Sequence, residues 1–139
     1  MRRHPFLSPL LLCTLGALTA TAIAQPRVDI GKREFDTKCA VCHGTDGKGL
    51  GPYAEQLKRP LPDLTTMAAR NGGVFPGTQT YVLIEGAGGG HGTREMPVWG
   101  LAYTVQAAEE LPDLPYNQAM FVRQRIMALL EYLNTLQVK

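Results

Sequence analysis

The stretch from Cys39 to His43 constrains this chain more than any other: two cysteines separated by two residues, followed at once by a histidine. Thiols at this spacing can each form a thioether with a vinyl group of one haem, and the imidazole that follows is placed to ligate the iron. The spacing is short because both vinyl carbons lie on one side of a flat macrocycle. The motif therefore predicts one covalent haem c, attached through Cys39 and Cys42 and ligated by His43.

Three other interpretations of the cysteine pair are weaker. A thioredoxin-like redox pair is typical of a βαβ pattern, and the sequence shows none around Cys39. Half a zinc site would need a second cysteine pair, and beyond the N-terminal segment the only other histidine is His91. A disulfide between Cys39 and Cys42 would close a very small, strained loop. Covalent haem remains the main prediction.

The N-terminus has the pattern of an export signal. Arg2 and Arg3 precede an apolar run that ends in an A-x-A cleavage pattern at Ala24. We predict a signal peptide over residues 1–24, cleaved after Ala24, and a single mature domain over residues 25–139. An uncleaved membrane anchor is the alternative, because the apolar run approaches the minimum length of a membrane span.

Charge and composition limit the function of the mature chain. Of the 14 Lys and Arg residues, Arg2 and Arg3 fall in the signal segment, which leaves the basic residues equal in number to the 12 acidic ones. This balance argues against a nucleic-acid-binding protein or a polybasic membrane patch. The 15 Gly and 10 Pro residues predict several ordered loops between short elements.

Apolar periodicity predicts a helix at each end of the mature domain. In residues 28–42, Gly31 and Phe35 lie four apart on one helix face. Residues 116–137 carry an apolar stripe at helical spacing: Val122, Ile126, Leu129, Leu130 and Leu133. We expect Gly31 to permit a close crossing of the two helices, with Tyr132 meeting Phe35 there.

Gly and Pro residues divide the middle of the chain into short segments. Helical segments are predicted over residues 53–58, 65–70 and 78–85, the last ending at Gly86. Residues 78–85 also have strand propensity, but a helix suits an otherwise helical domain. Residues 101–114, with an acidic pair and a proline, are predicted to form a loop.

A second iron ligand is expected in the glycine-rich stretch before Pro97. Met96 offers a thioether, which ligates without losing a proton, and Pro97 restricts the backbone beside it. His91 is the competing ligand and would give a lower reduction potential. Of the other methionines of the mature domain, Met67 falls in a predicted short helix, and Met120 and Met127 fall in the last helix, where core packing explains them. We predict His43 and Met96 as the metal ligands, with His91 ligation or an open iron as the alternatives.

Polar partners for the haem and its ligands are predicted from position. A ligating histidine usually donates its second ring N–H to a carbonyl, and Pro52 is the candidate acceptor for Nδ1 of His43. Trp99 is the only Trp, and a haem propionate is one possible partner for its indole N–H. Further candidates to bind the propionates are Tyr53, Arg59, Arg70 and Arg94.

The order of these features resembles class I cytochrome c. The resemblance rests on the C-x-x-C-H motif, Gly51-Pro52 shortly after it, Met96-Pro97 in the second half and a C-terminal helix. It implies a small all-α cytochrome c fold, with crossing N- and C-terminal helices and one haem wrapped by short helices and Gly/Pro-rich loops. It also implies haem attachment by Cys39 and Cys42, ligation by His43 and Met96, and Pro52 as the acceptor from His43. The glycine-rich residues 86–92 and the predicted loop over residues 101–114 depart from the compact family pattern.

The expected function is electron transport by a periplasmic carrier that cycles one iron between Fe(II) and Fe(III) and is not an enzyme. The resemblance implies haem attachment outside the cytoplasm, which agrees with the export signal. Its partners would be redox proteins, such as a membrane-bound oxidase, reductase or dehydrogenase, with neither nucleic acid nor a small-molecule substrate. The first alternative is an electron-transfer subunit of a larger periplasmic dehydrogenase or reductase complex. A less favoured one is a peroxidase-like or gas-binding haem protein with an open distal site.

Overall fold

A computed structural model describes residues 28–86, 96–114 and 116–138, and within them every regular element is helical. In chain order these elements are α1 (Ile30–Glu34), a π-helical turn (Phe35–Cys39), α2 (Ala40–His43), 3-10 turns at Ala54–Gln56 and Leu64–Thr66, α3 (Met67–Arg70), α4 (Gly77–Glu85), α5 (Trp99–Glu110) and α6 (Tyr116–Thr135). The predicted all-α class is confirmed. The predicted signal segment lies outside the described residues, and none of the described helices is long and apolar enough to cross a membrane.

Asp29 begins the first helical segment. Its side chain accepts a hydrogen bond from the backbone N–H of Lys32 at 2.8 Å, which satisfies one of the free donors of the first turn. The segment then runs through α1, the π-helical turn and α2, and it ends at Gly44, whose φ of 77° favours glycine. The helix predicted over residues 28–42 is confirmed.

α1 crosses α6 where the sequence predicted the crossing. A Cβ on Gly31 would lie 2.7 Å from the carbonyl carbon of Ala128 and 2.9 Å from Cβ of Tyr132, so only glycine permits this approach. Phe35 is fully buried beside the crossing, and its ring centroid lies 5.3 Å from that of Tyr132. The crossing holds the segment with the two cysteines firmly against the C-terminal helix.

The prediction of a loop over residues 101–114 is wrong, because α5 (Trp99–Glu110) occupies most of that range. α5 packs against both α4 and α6. Tyr103 and Ala107 lie four residues apart on its inner face and are fully buried. Gly100 permits the contact with α4, since a Cβ there would collide with the backbone of that helix.

The short elements between residues 53 and 86 follow the predictions more closely. The 3-10 turn Ala54–Gln56 lies within predicted segment 53–58, and Leu64–Thr66 with α3 covers predicted segment 65–70. α4 ends at Gly86, whose φ of 87° closes the helix in a left-handed conformation. The core is formed by the inner faces of the crossing helices: Phe35, Ala40, Ile84, Tyr103, Val122, Ile126, Leu129, Leu130 and Leu133.

Candidate functional site

One cavity of about 350 Å³ collects most of the residues that the sequence singled out. Cys39, Cys42 and His43 line it from the first helical segment, and Met96 and Trp99 line it from the segment that leads into α5. The remaining lining is mostly apolar and includes Phe35, Leu57, Leu61, Pro62, Leu64, Leu83, Ile84, Pro97, Leu129 and Leu133. A larger groove of about 840 Å³ lies between α4 and α6, but no Cys or His from the described part of the chain lines it.

A π-helical turn positions the two thiols. It covers Phe35–Cys39 and delivers Cys39 to the cavity, and α2 then carries Cys42 and His43 to the same lining. Val41, between the cysteines, is 48% exposed. π-helical turns are rare and frequently lie at functional sites, because the added residue redirects the side chains that follow.

The glycine-rich loop after His43 folds back along the end of this helix. Gly49 donates its N–H to the carbonyl of His43 at 2.8 Å, Gly51 to that of Cys42 at 3.0 Å, and Tyr53 to that of Val41 at 2.9 Å. These bonds satisfy carbonyls that a helix end leaves without partners. A Cβ on Gly51 would lie 2.6 Å from the Cys42 carbonyl oxygen, so glycine is required for the loop to lie this close.

Nδ1 of His43 is buried and has no hydrogen-bond partner among the described residues. The predicted hydrogen bond to the Pro52 carbonyl is therefore not formed. The backbone on either side explains this, because Gly51 and Tyr53 direct their N–H groups to the helix carbonyls while Pro52 between them is exposed. Burial lowers the pKa of His43, which keeps its imidazole neutral at neutral pH, the form that binds iron.

Two thioethers reach the cavity. Met96 is half-buried and packs against the core, and Met67 lines the same cavity from α3. Met120 and Met127 lie on α6 and are each at least half exposed, outside this lining. The competing ligand His91 lies outside the described residues, so its prediction stays untested.

Charged and polar groups at the cavity partly match the predicted propionate partners. Arg70 lines the cavity, and its Nη1 donates to the carbonyl of Asp63 at 2.9 Å and to the hydroxyl of Thr66. Trp99 also lines the cavity, and its ring lies 6.3 Å from that of Tyr103. Other predicted partners are placed elsewhere: Tyr53 and Arg59 are exposed outside the lining, and Arg94 lies outside the described residues.

Glu34 is a charged residue at this site that the sequence analysis missed. Its carboxylate is buried and accepts hydrogen bonds from Lys38 Nζ at 2.6 Å, Tyr103 OH at 3.0 Å and Arg125 Nη1 at 3.0 Å. Burial alone would raise the pKa of Glu34, but the hydrogen bond and charge of Lys38, with Tyr103 and Arg125, outweigh it and lower the pKa. The i,i+4 spacing of Glu34 and Lys38 in the sequence indicates an ion pair. The burial of that pair could not be predicted, because it depends on the packing of α5.

The donor set fits a haem better than a metal ion bound directly by side chains. Within the described residues, no group of three His, Cys, Asp or Glu side chains is arranged to hold a metal ion. Burial, together with the charge of Glu34, raises the pKa of the Cys39 thiol to about 12. Two thiols, an imidazole with an unpartnered buried nitrogen, and a thioether in an apolar cavity suit an iron macrocycle.

Comparison with protein families agrees with this chemistry: the family model for Cytochrome c matches residues 28–137. The chain belongs to the cytochrome c family. Members bind covalent haem c, and one haem is typical of a single domain of this size, so the cofactor predicted from the motif is confirmed. This cytochrome c is accordingly a haem-binding electron-transfer protein. Comparison with curated proteins and with solved structures gave no match.

Proposed function

We propose that this cytochrome c is an exported one-electron carrier of the periplasm, with His43 and Met96 as axial ligands and Cys39 and Cys42 as attachment sites. The observation that carries the proposal is the lining of one cavity by two thiols, an imidazole and a thioether. These groups come from two distant segments of the chain, so the fold is what brings them together. When bound, the haem iron supplies the one-electron chemistry.

Each of these side chains has a separate role. Thioethers at Cys39 and Cys42 keep the cofactor on the first helical segment through repeated cycles. The neutral imidazole of His43 and the thioether of Met96 would both ligate the iron when the haem is bound, which would leave no place on it for a substrate. Because a thioether carries no charge, Met96 favours the reduced and less charged state of the iron.

The apolar walls support the same function. Leucines from three parts of the chain keep water from the cavity: Leu57, Leu61, Leu64, Leu83, Leu129 and Leu133. A dry pocket raises the reduction potential and limits the reorganisation that accompanies electron transfer. Val41 is 48% exposed between the two cysteines, so the attachment edge lies near the surface, where a redox partner can approach.

The proposed partners are redox proteins that dock briefly on a small interface, including a membrane-bound oxidase, reductase or dehydrogenase. Export is supported by Arg2, Arg3 and the A-x-A pattern ending at Ala24. Arg70 and Trp99 are the proposed partners of the haem propionates, because both line the cavity.

Visible spectroscopy during a redox titration of the purified holoprotein tests this proposal. Ferric wild type should show a weak long-wavelength sulfur-to-iron band and reduce reversibly with one electron. Met96→Ala should lose the band, whereas Met67→Ala, which removes the other thioether of the cavity, should keep it.

A band that survives in Met96→Ala, or disappears in Met67→Ala, would show that Met96 is not the ligand. A wild type without the band that stays reversible would point to His91. Stable co-purification with a large subunit would favour the electron-transfer subunit over the free carrier.

A further inference from the structure

A buried carboxylate lies behind the cysteine segment. Glu34 is 3% exposed and joins three helices, since its donors are Lys38 near the end of the π-helical turn, Tyr103 on α5 and Arg125 on α6. Tyr103 is fully buried, and Arg125 also approaches Glu110, with Nη2 3.9 Å from Oε2. We call Glu34, Lys38, Tyr103 and Arg125 the Glu34 cluster.

Stability alone does not account for this cluster. Burying charges costs several kcal/mol per ion, and replacing a buried ion pair by apolar residues of similar volume is often neutral or stabilising. The neighbouring core positions are apolar, including Phe35 beside Glu34 and Ala107 on the same face as Tyr103. An apolar side chain at position 34 would therefore suit the packing, and the charge requires another reason.

The cluster reaches the haem cavity at two points. Lys38 and Cys39 both line the cavity, and Trp99, which also lines it, lies 6.3 Å from the ring of Tyr103. The charges of the cluster act on Cys39 itself: beyond the effect of burial, the carboxylate of Glu34 raises the pKa of that thiol, and the ammonium of Lys38 opposes it with a smaller effect. Any group attached at Cys39 lies within the same field.

We infer that Glu34 sets the redox balance of the haem by holding a fixed negative charge beside Cys39 that stabilises the oxidised state. The inference rests on the proposed electron-transfer function. On oxidation one electron leaves for the partner protein and the site gains one positive charge, while Glu34 stays ionised and no proton is exchanged. Glu34 opposes Met96 and the apolar walls, which favour the reduced state.

The sign of the effect separates this role from a structural one. Glu34→Gln keeps the shape of the side chain but removes its charge, so the ratio of reduced to oxidised protein at a fixed ambient potential should rise about tenfold, or about 59 mV for one electron. Arg125→Gln removes a positive charge from the same cluster, so the ratio should fall, by about threefold. A general loosening of the pocket would admit water and lower the ratio in both variants.

Two exposed carboxylates provide matched controls. Asp36→Asn removes a charge two residues from Glu34, where the side chain is 37% exposed and pairs with Lys32. Glu110→Gln removes the carboxylate on the outer side of Arg125, which is 47% exposed. Solvent screening should limit each change to less than about twofold.

The experiment is a spectroelectrochemical titration of wild-type holoprotein and these variants, with the ferric spectrum recorded for each. Opposite shifts for Glu34→Gln and Arg125→Gln, with the sulfur-to-iron band retained, are expected. Shifts of the same sign, or a Glu34→Gln shift no larger than that of Asp36→Asn, would overturn the inference.

The remaining outcomes are also decisive. If Glu34→Gln does not fold, Arg125→Gln must still lower the ratio, and an unchanged or raised ratio would overturn the inference. If wild type lacks the sulfur-to-iron band, the proposed ligation by Met96 fails. If the band is present but the reduction potential does not change in the Glu34 cluster variants, only the proposed role of Glu34 is refuted.

Discussion

Replacing Gly31 by alanine should weaken the fold, although alanine is the better helix former. The built Cβ lies 2.7 Å from the Ala128 carbonyl carbon, 2.9 Å from Tyr132 Cβ, and closer still to the Ala128 carbonyl oxygen. Carbon atoms pack at about 3.5–4.0 Å, so α1 and α6 would have to separate by about 1 Å. The obstacle is mostly backbone, which cannot rotate away as a flexible side chain could.

The expected magnitude follows from two opposing terms. Overpacking of this kind costs about 1–3 kcal/mol, and we expect the upper end because separation of the helices also loosens the contact between Phe35 and Tyr132. Alanine returns up to about 1 kcal/mol through its helix propensity. The free energy of unfolding should therefore fall by about 2 kcal/mol, and the urea midpoint by about 1 M.

Urea denaturation of the holoprotein, followed by far-ultraviolet circular dichroism, measures this difference. Gly77→Ala is the matched control, because Gly77 begins α4 and a Cβ there would meet nothing closer than 3.8 Å. That substitution should be neutral or stabilise by up to about 1 kcal/mol. If Gly31→Ala were as stable as Gly77→Ala, the close crossing would not be the reason for glycine at position 31.

Two further predictions concern the C-terminus and pH. Gln137→Ala should lower the free energy of unfolding by about 1–3 kcal/mol, because the Gln137 side chain accepts from the N–H of Ala68 at 2.8 Å and donates to the carbonyls of Leu64 and Leu133 at 2.9 and 2.8 Å. Urea denaturation measures this loss, with the exposed Asn134→Ala as a control whose stability should lie within about 0.5 kcal/mol of wild type. Equal urea midpoints for Gln137→Ala and Asn134→Ala would contradict the prediction. Because the folded-state pKa of Glu34 is lowered from 4.5, its contribution to stability is complete above that pH and is lost as pH falls through the folded-state pKa. As the pH is lowered from neutral, the urea midpoint should therefore fall less steeply in Glu34→Gln than in wild type. The same dependence on pH in both proteins would refute the stabilising ion pairs of Glu34.

The parts of the fold that were predictable are those with a local signal. Gly31 and Phe35 lie four residues apart and the α6 stripe has helical spacing, so both helices and their crossing could be predicted. The C-x-x-C-H motif predicted the haem because covalent attachment requires that spacing. Gly86 marked the end of α4, where its positive φ is needed.

α5 was not predicted because its acidic residues and the proline after it are also typical of a loop. Glu109 and Glu110 belong to its last turn, and Pro112 follows the helix, where a proline is common. The buried pair Tyr103 and Ala107 at i,i+4 was the available indication of a helix. The buried Glu34 cluster depends on Tyr103, so the error about α5 also concealed the cluster.

The proposed acceptor at Pro52 failed for a different reason. Position along the loop places Pro52 near His43, but the direction of its carbonyl depends on how Gly51 and Tyr53 pair with the helix end. That pairing involves backbone groups brought together only in the folded chain. The second cavity-lining thioether, Met67, has no local signal either, because tertiary structure brings its short helix to the same cavity as Met96.

The proposed electron-carrier function requires that His43 and Met96 both ligate the iron when the haem is bound, so that no position is left for an added ligand. This ligation can be tested by adding carbon monoxide to the reduced wild-type holoprotein at neutral pH, with the visible spectrum recorded before and after. The spectrum should not change if His43 and Met96 are both iron ligands, as proposed. Ready binding of carbon monoxide, with a shifted spectrum, would mean an open iron and would contradict the assignment of this protein as a simple electron carrier.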